Sequence, residues 1–251
     1  MKKKGQILLI TVMVLATIMT VVLSVSFQSI TETQVSKLEE DSQKALAAAE
    51  AAIEASLKAG SNVIIGEGAL SDLTGFTGGA TVTSLTDNTF TSPTVTKDSS
   101  YTFYLGEYND TTQTIGPSVA EGITVCFDAG SSNPAIEITI LKNTGVVKHV
   151  VDPNNPKRIS NGSGSAGVCG ADSNFDFSYV VPASDIGVDS KLMVIRVFYA
   201  STKLVLSRAS DFPIQGKTVS SEASTTTGVS KKIVLFQSYP QIPAEFFSTS
   251  F

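Results

Sequence analysis

Between Gln6 and Ala59 the chain has no glycine and no proline. All nine prolines, and every glycine except Gly5, lie beyond that stretch. A segment free of breakers and rich in Leu, Ala and Met reads as one continuous helix over 6–59. At 1.5 Å per residue it would be about 80 Å long. The rest of the chain is too short to wrap such a rod as a compact domain. Part of the helix must sit in another solvent, or against other copies.

The first part belongs to a membrane. Lys2, Lys3 and Lys4 precede it, and the next charged residue is Glu32. Between Gln6 and Ser26 the polar interruptions are Thr11, Thr17, Thr20 and Ser24. About 20 apolar residues span a bilayer, so 6–27 is the transmembrane part and membrane lipid its first partner. Hydroxyls there bond back to the preceding turn at little cost. The lysines stay cytoplasmic, which makes a single-pass protein with an extracytoplasmic C-terminal domain. Four readings fit. One is a plain anchor. Another is a cleaved secretory signal with Ser24-Val25-Ser26 as its small-residue site, although this run exceeds a usual h-region. A buried core helix conflicts with the flanking lysines. The last is a short leader, 1–5, cut after Gly5 on the cytoplasmic side, leaving the apolar helix on the mature chain.

The second part of the helix separates these readings. Val35, Leu38, Ser42, Ala45, Ala49, Ala52 and Ser56 recur at steps of three and four, with Leu46, Ile53 and Leu57 beside them. This is a narrow amphipathic stripe of small residues. Glu32, Glu39, Glu40, Asp41, Glu50 and Glu54 lie mostly off it, and Glu40 can pair with Lys44. A cleaved signal has no reason to flow into such a helix. A small-residue stripe admits close approach, either to the chain's own sheet or to another subunit.

Gly5-Gln6-Ile7-Leu8-Leu9-Ile10, the apolar run, and then Ser42-Gln43-Lys44 followed by Ala45 to Glu54 resemble the N-terminal region of type IV pilin-like proteins. The likeness is greatest to minor pilins of the PilX kind, and it covers roughly the first sixty residues. It implies processing between Gly5 and Gln6 by a prepilin peptidase, N-methylation of Gln6, and packing of the helix into a surface filament. The implied partners are other pilin subunits, that peptidase and a pilus assembly platform. One position departs from the pattern. Major pilins carry glutamate at the fifth mature residue, which here is Ile10. An unpaired carboxylate is costly in hydrocarbon, so its absence removes a docking charge and favours a minor or tip subunit. The mid-helix proline of many pilins is also missing, so the helix should bend less.

The formal net charge is −5, and loss of the leader lysines would make the chain more acidic. That argues against a nucleic-acid partner. Gly60 should stop the helix. The stretch 60–100, rich in Gly, Ser and Thr, reads as a connector with one or two short strands around Asn62–Ile65 and Ala80–Val82. From Tyr101 to Phe251 the pattern is β. Strands are expected at 101–105, 122–127, 135–141, 146–151, 175–181, 192–200, 203–206, 218–223 and 232–238, separated by turn residues. The expected class is α+β: a long helix followed by an antiparallel β-rich domain, either a sheet or a small sandwich.

Cys126 and Cys169 are the only cysteines. Outside the membrane they can form a disulfide, worth about 3–4 kcal/mol by loop-closure entropy. The alternative is a buried free Cys126 and an exposed Cys169. Asp172, Asn174 and Asp176 place oxygen ligands at alternate positions, like the start of a calcium loop. However, Phe177 stands where glycine should follow and Ala183 where the closing glutamate should be, so an ordinary turn is the simpler reading. His149, the single histidine, lies in a valine-rich strand and reads as a solvent-facing strand residue. No nucleophile elbow or phosphate-binding glycine loop occurs. No catalytic residue and no cofactor is therefore expected. In the C-terminal stretch from Tyr239, Pro240 and Pro243 exclude a helix, and Phe246, Phe247 and Phe251 either cap an open edge of the core or dock a neighbour. The expectation is a pilin-like structural subunit rather than an enzyme. The alternative is a single-pass anchored surface protein whose β domain binds a ligand such as a glycan or calcium.

Overall fold

The structure is a computed structural model and describes residues 4–84, 86–130, 132–160, 162–165, 169 and 175–243. The fold is α+β: one long N-terminal helix followed by antiparallel sheets. The chain divides into two compact units, Met1–Thr83 with Thr218–Leu235, and Ser84–Lys217 with Phe236–Phe251.

The first unit is built on helix α1, Lys4–Ala59, which runs unbroken for 56 residues. Gly60 ends it at φ +65°, donating its N–H to the Ser56 carbonyl at 2.8 Å, as expected of a glycine after a helix C-terminus. Hydroxyls in the apolar part fold back on the backbone: Thr17 donates to the Val14 carbonyl, Thr20 to Thr17 and Ser26 to Val22, each at 2.8 Å. Strands β1 (Val63–Ile64) and β2 (Phe76–Thr83) begin a four-stranded antiparallel sheet. It is completed by β13 (Gly216–Thr225) and β14 (Ser230–Ser238), in the order β1-β2-β13-β14.

The small-residue stripe of α1 lies on this sheet. Ala45, Ala48, Ala49, Ala52, Ile53 and Ser56 are buried, and Ala48, Ala49, Ala52 and Ile53 share a core with Ile65, Leu70, Ala80, Val219 and Ala223. Alanines on both sides, Ala48, Ala49 and Ala52 of the helix and Ala80 and Ala223 of the sheet, leave room for a close approach. Gly78 in β2 sits at φ +126°, and a Cβ there would run into the Glu222 carbonyl oxygen of β13, so only glycine fits. A side-chain bond also ties helix to sheet unit, with Thr227 donating to Asp41 at 2.8 Å. The connector stretch is more ordered than expected, because β1, β2 and a further strand, β3 (Thr89–Thr91), all fall within it.

The second unit is a β-sandwich. One sheet runs β10-β7-β12-β3, made of β3 (Thr89–Thr91), β7 (Ile123–Phe127), β10 (Phe177–Val181) and β12 (Leu204–Ser207). The other runs β4-β11-β8-β9, made of β4 (Ser100–Tyr104), β8 (Ala135–Lys142), β9 (Gly145–Val151) and β11 (Ser190–Phe198). All pairings are antiparallel. Alternate residues of both sheets enter one core: Phe103 from β4, Ile123, Val125 and Phe127 from β7, Ile136, Ile138 and Ile140 from β8, Met193, Ile195 and Val197 from β11, Leu204 and Leu206 from β12. A separate hairpin joins β5 (Gly106–Asn109) to β6 (Thr114–Ser118).

Candidate functional site

Two surfaces stand out, one on each unit. The first is the N-terminal half of α1. Every described side chain from Leu9 to Glu40 is exposed. Leu15 is 65% exposed and Phe27 67%, values that the water-facing side of a soluble helix does not sustain over so many apolar residues. The helix is long and apolar enough to cross a membrane. Its stripe is covered by the sheet only from Ala45 onward, and Val35 and Leu38 remain open. Glu40 pairs with Lys44 at 2.6 Å, as the four-residue spacing anticipates. Gly5 and Gln6 lie in the first turns of α1.

The second surface is a cleft of about 470 Å³ on the sandwich unit, lined by Glu107, Tyr108, Asn109, Thr114, Gly116, Ile214 and Tyr239. The β5–β6 hairpin supplies most of it. Asn109 shapes the hairpin turn, its Oδ1 accepting from the N–H groups of Thr111 (2.9 Å) and Thr112 (3.0 Å). Lys191 holds the returning strand, donating to the carbonyls of Ile115 (3.0 Å) and Gly116 (2.8 Å). Three rings pack together behind the opening. Their centroids are 5.1 Å apart for Tyr104 and Tyr108, 5.4 Å for Tyr104 and Tyr239, and 4.9 Å for Tyr108 and Tyr239. Tyr104 is buried, and its hydroxyl donates to the Pro240 carbonyl at 2.8 Å. Burial pushes it up to about 12. Tyr239 is also raised, first by burial and then by the negative charge of Asp110. Beside the cleft Lys217 pairs with Asp110 at 2.9 Å, which raises the lysine.

Two glutamines fix this region to the sandwich. β4 is an edge strand, and its outward backbone groups need partners. The Gln215 amide accepts from Tyr104 N–H and donates to the Tyr104 carbonyl, both at 2.8 Å. Gln241 does the same for Thr102, at 2.7 and 3.3 Å. The segment Tyr239–Pro243 is thereby laid along the free edge of β4, with Ile242 N–H bonded to Thr102 Oγ1 at 3.0 Å. Phe246, Phe247 and Phe251 lie outside the described residues.

The remaining expected residues fall elsewhere. Cys126 and Cys169 form a disulfide with Cα atoms 5.8 Å apart, closing a separation of 43 residues. Cys126 alternates with the core residues Val125 and Phe127, so the bond lies on the outer face of its sheet. Of the calcium-loop candidates, Asp172 and Asn174 lie outside the described residues. Asp176 is exposed and accepts the Ala129 N–H at 2.8 Å, locking the turn after β7. Asp128 is raised by burial first, and then by Asp176. Among the described residues no group of three His, Cys, Asp or Glu is placed to hold a metal.

His149 does not face solvent as expected. It pairs in register with core-facing Ile138, so it points to the inner side of its sheet. Tyr179 from the opposite sheet lies 3.1 Å from its Nδ1, and Asp185 is 3.1 Å from its Nε2. β9 and β10 are both edge strands, and a polar residue at the margin between two sheets finds partners there.

The cleft residues come from three separated stretches, and no spacing in the sequence links Tyr104, Tyr108 and Tyr239. No protein-family model, curated protein or solved structure matches the chain.

Proposed function

We propose that the protein is a membrane-anchored, pilin-like structural subunit that assembles through its helix and carries its β domains on the extracytoplasmic side. One observation carries the reading. A single unbroken helix is apolar and uncovered over its first half and packed by small residues onto its own sheet over its second. A secretory signal would be cut between those halves, and the packed half would lose its entry. A plain anchor would not need the open stripe at Val35 and Leu38 that precedes the sheet.

On this reading the apolar half lies first in lipid and then against the helices of neighbouring subunits. The missing carboxylate at Ile10 makes it a minor or tip subunit. Processing falls between Gly5 and Gln6. The chemistry after processing is assembly, driven by burial of apolar helix surface.

The test is the N-terminal mass of the protein recovered from membranes. A chain beginning at Gln6, methylated on its amine, is the expected result. A chain beginning at Met1 leaves a plain anchor and overturns the pilin reading. A chain beginning near Phe27 makes the protein a secreted one and overturns both.

A further inference from the structure

We propose that the cleft between the β5–β6 hairpin and Tyr239 is a binding site for a neutral oligosaccharide. This site is independent of the helix and of how the helix is processed.

The walls set the ligand class. Tyr108 and Tyr239 meet at an interplanar angle of 60°, forming an aromatic corner rather than a flat stack. Both rings are partly exposed, and among the described residues no protein group bonds either hydroxyl. Their backing is rigid: Tyr104 sits behind them, itself held by Gln215 and by the Pro240 carbonyl. Each ring presents an apolar face with a polar tip, a pairing suited to ligands that are wet on one side and apolar on the other.

The rim is polar. Glu107 is exposed and has no ion-pair partner among the described residues, so both of its oxygens are open acceptors. Asn109 uses its oxygen in the hairpin turn, which leaves its NH₂ as a donor. Thr114 adds a hydroxyl. A second, smaller cleft of about 180 Å³ shares Tyr239 and adds Asp110, Lys217 and Gln237, continuing the polar rim along the chain.

A pyranose has C–H faces that lie on aromatic rings and equatorial hydroxyls that both donate and accept. The aromatic corner takes the first and the rim takes the second. Two adjoining clefts sharing one tyrosine suit a chain of sugars more than a single one. Charge excludes the acidic sugars. Asp110 is paired with Lys217, and the Lys191 ammonium is engaged by the Ile115 and Gly116 carbonyls, so the Glu107 carboxylate is the charge left open on the rim. A uronic or sialic carboxylate would be repelled. A proline-rich peptide also docks on aromatic grooves, but it has few donors to offer a rim of this kind.

Gly116 supplies the means of testing. It lines the cleft, and the nearest atoms that a Cβ added there would meet belong to Glu107, at ordinary contact distances from 3.5 Å. Gly116→Leu should therefore fill the cleft without moving the hairpin. The chain has six tyrosines and no tryptophan, so 3-fluorotyrosine gives a simple fluorine spectrum. The full-length protein, in lipid nanodiscs, is titrated separately with maltotriose, cellotriose, mannotriose and chitotriose up to about 10 mM, a range that reaches millimolar Kd values. Decaproline is run as a comparison.

At least one trisaccharide should shift the Tyr108 and Tyr239 lines while those of Tyr179 and Tyr199 stay fixed. Gly116→Leu should weaken that binding about tenfold or more, close to 1.4 kcal/mol, with spectral dispersion unchanged. Glu107→Gln should weaken it less. Shifts with decaproline alone, equal shifts at every tyrosine, no shift with any sugar, or undiminished binding by Gly116→Leu would each overturn the proposal.

Discussion

Tyr101 and Tyr104 stand three apart on the edge strand β4, and both are buried aromatic residues bearing a titratable hydroxyl. Burial pushes each up to about 12, from the ordinary 10. Between those values the folded chain holds protons that the unfolded chain has released. The slope of stability against pH is then negative. The stability from these two residues is fully present below pH 10, and is lost as pH rises from 10 toward 12. Melting temperature of the sandwich should fall steeply in that window, and the double variant Tyr101→Phe/Tyr104→Phe should flatten the fall. An equal fall in that variant would mean that other groups govern the alkaline limit. His149 carries a different lesson. The sequence shows it among valines, where solvent exposure is the ordinary expectation. Register with Ile138 turns it inward, and register is a property of pairing that a strand read alone does not contain.

Elements differed in how far the sequence exposed them. α1 was legible from end to end, because the absence of breakers and the presence of Gly60 are local facts. Strands with apolar alternation, such as β8 and β11, were legible for the same reason. β2 was visible only as a fragment, since Gly78 and Gly79 carry no strand propensity. They belong there because β1 and β13 press against them, a long-range cause. β5 and β6 were missed because Gly106, Gly116 and Pro117 read as loop, while Lys191 and the turn at Asn109 hold them in place. The same gap hid the aromatic cleft. The protection of β4 was equally hidden, since it depends on two glutamine side chains from distant stretches standing in for a missing strand. Gln215→Met keeps the volume but removes the amide, leaving the Tyr104 N–H and carbonyl without partners. Unpaired buried groups cost about 1–3 kcal/mol, so the denaturation midpoint of the sandwich should drop by about 2 kcal/mol in equivalent stability. A change below about 0.5 kcal/mol would mean that water satisfies that edge equally well.

At the scale of the whole molecule the chain passes between its two units three times, after Thr83, after Lys217 and after Leu235. The grouping of 218–235 with the helix is not contiguous in sequence, and no local pattern announces it. The two cores share no residue. Separate cores in one chain make a single unfolding transition an assumption rather than a given. The spectroscopic reporters also separate. Every tyrosine lies in the sandwich unit, and the long helix lies in the other. Ala52 is fully buried against the sheet, so Ala52→Phe overpacks that interface by about 1–3 kcal/mol. Replacing Cys126 and Cys169 by alanine removes a loop closure worth about 3–4 kcal/mol from the sandwich. In nanodiscs, Ala52→Phe should lower the temperature at which the packed half of α1 loses its far-ultraviolet signal, and leave the near-ultraviolet tyrosine transition in place. The double alanine variant should do the reverse. If either variant moves both signals together by the same amount, the three crossings couple the units into one cooperative block. A disturbance at the helix stripe would then be felt at the sandwich, which separate transitions would exclude.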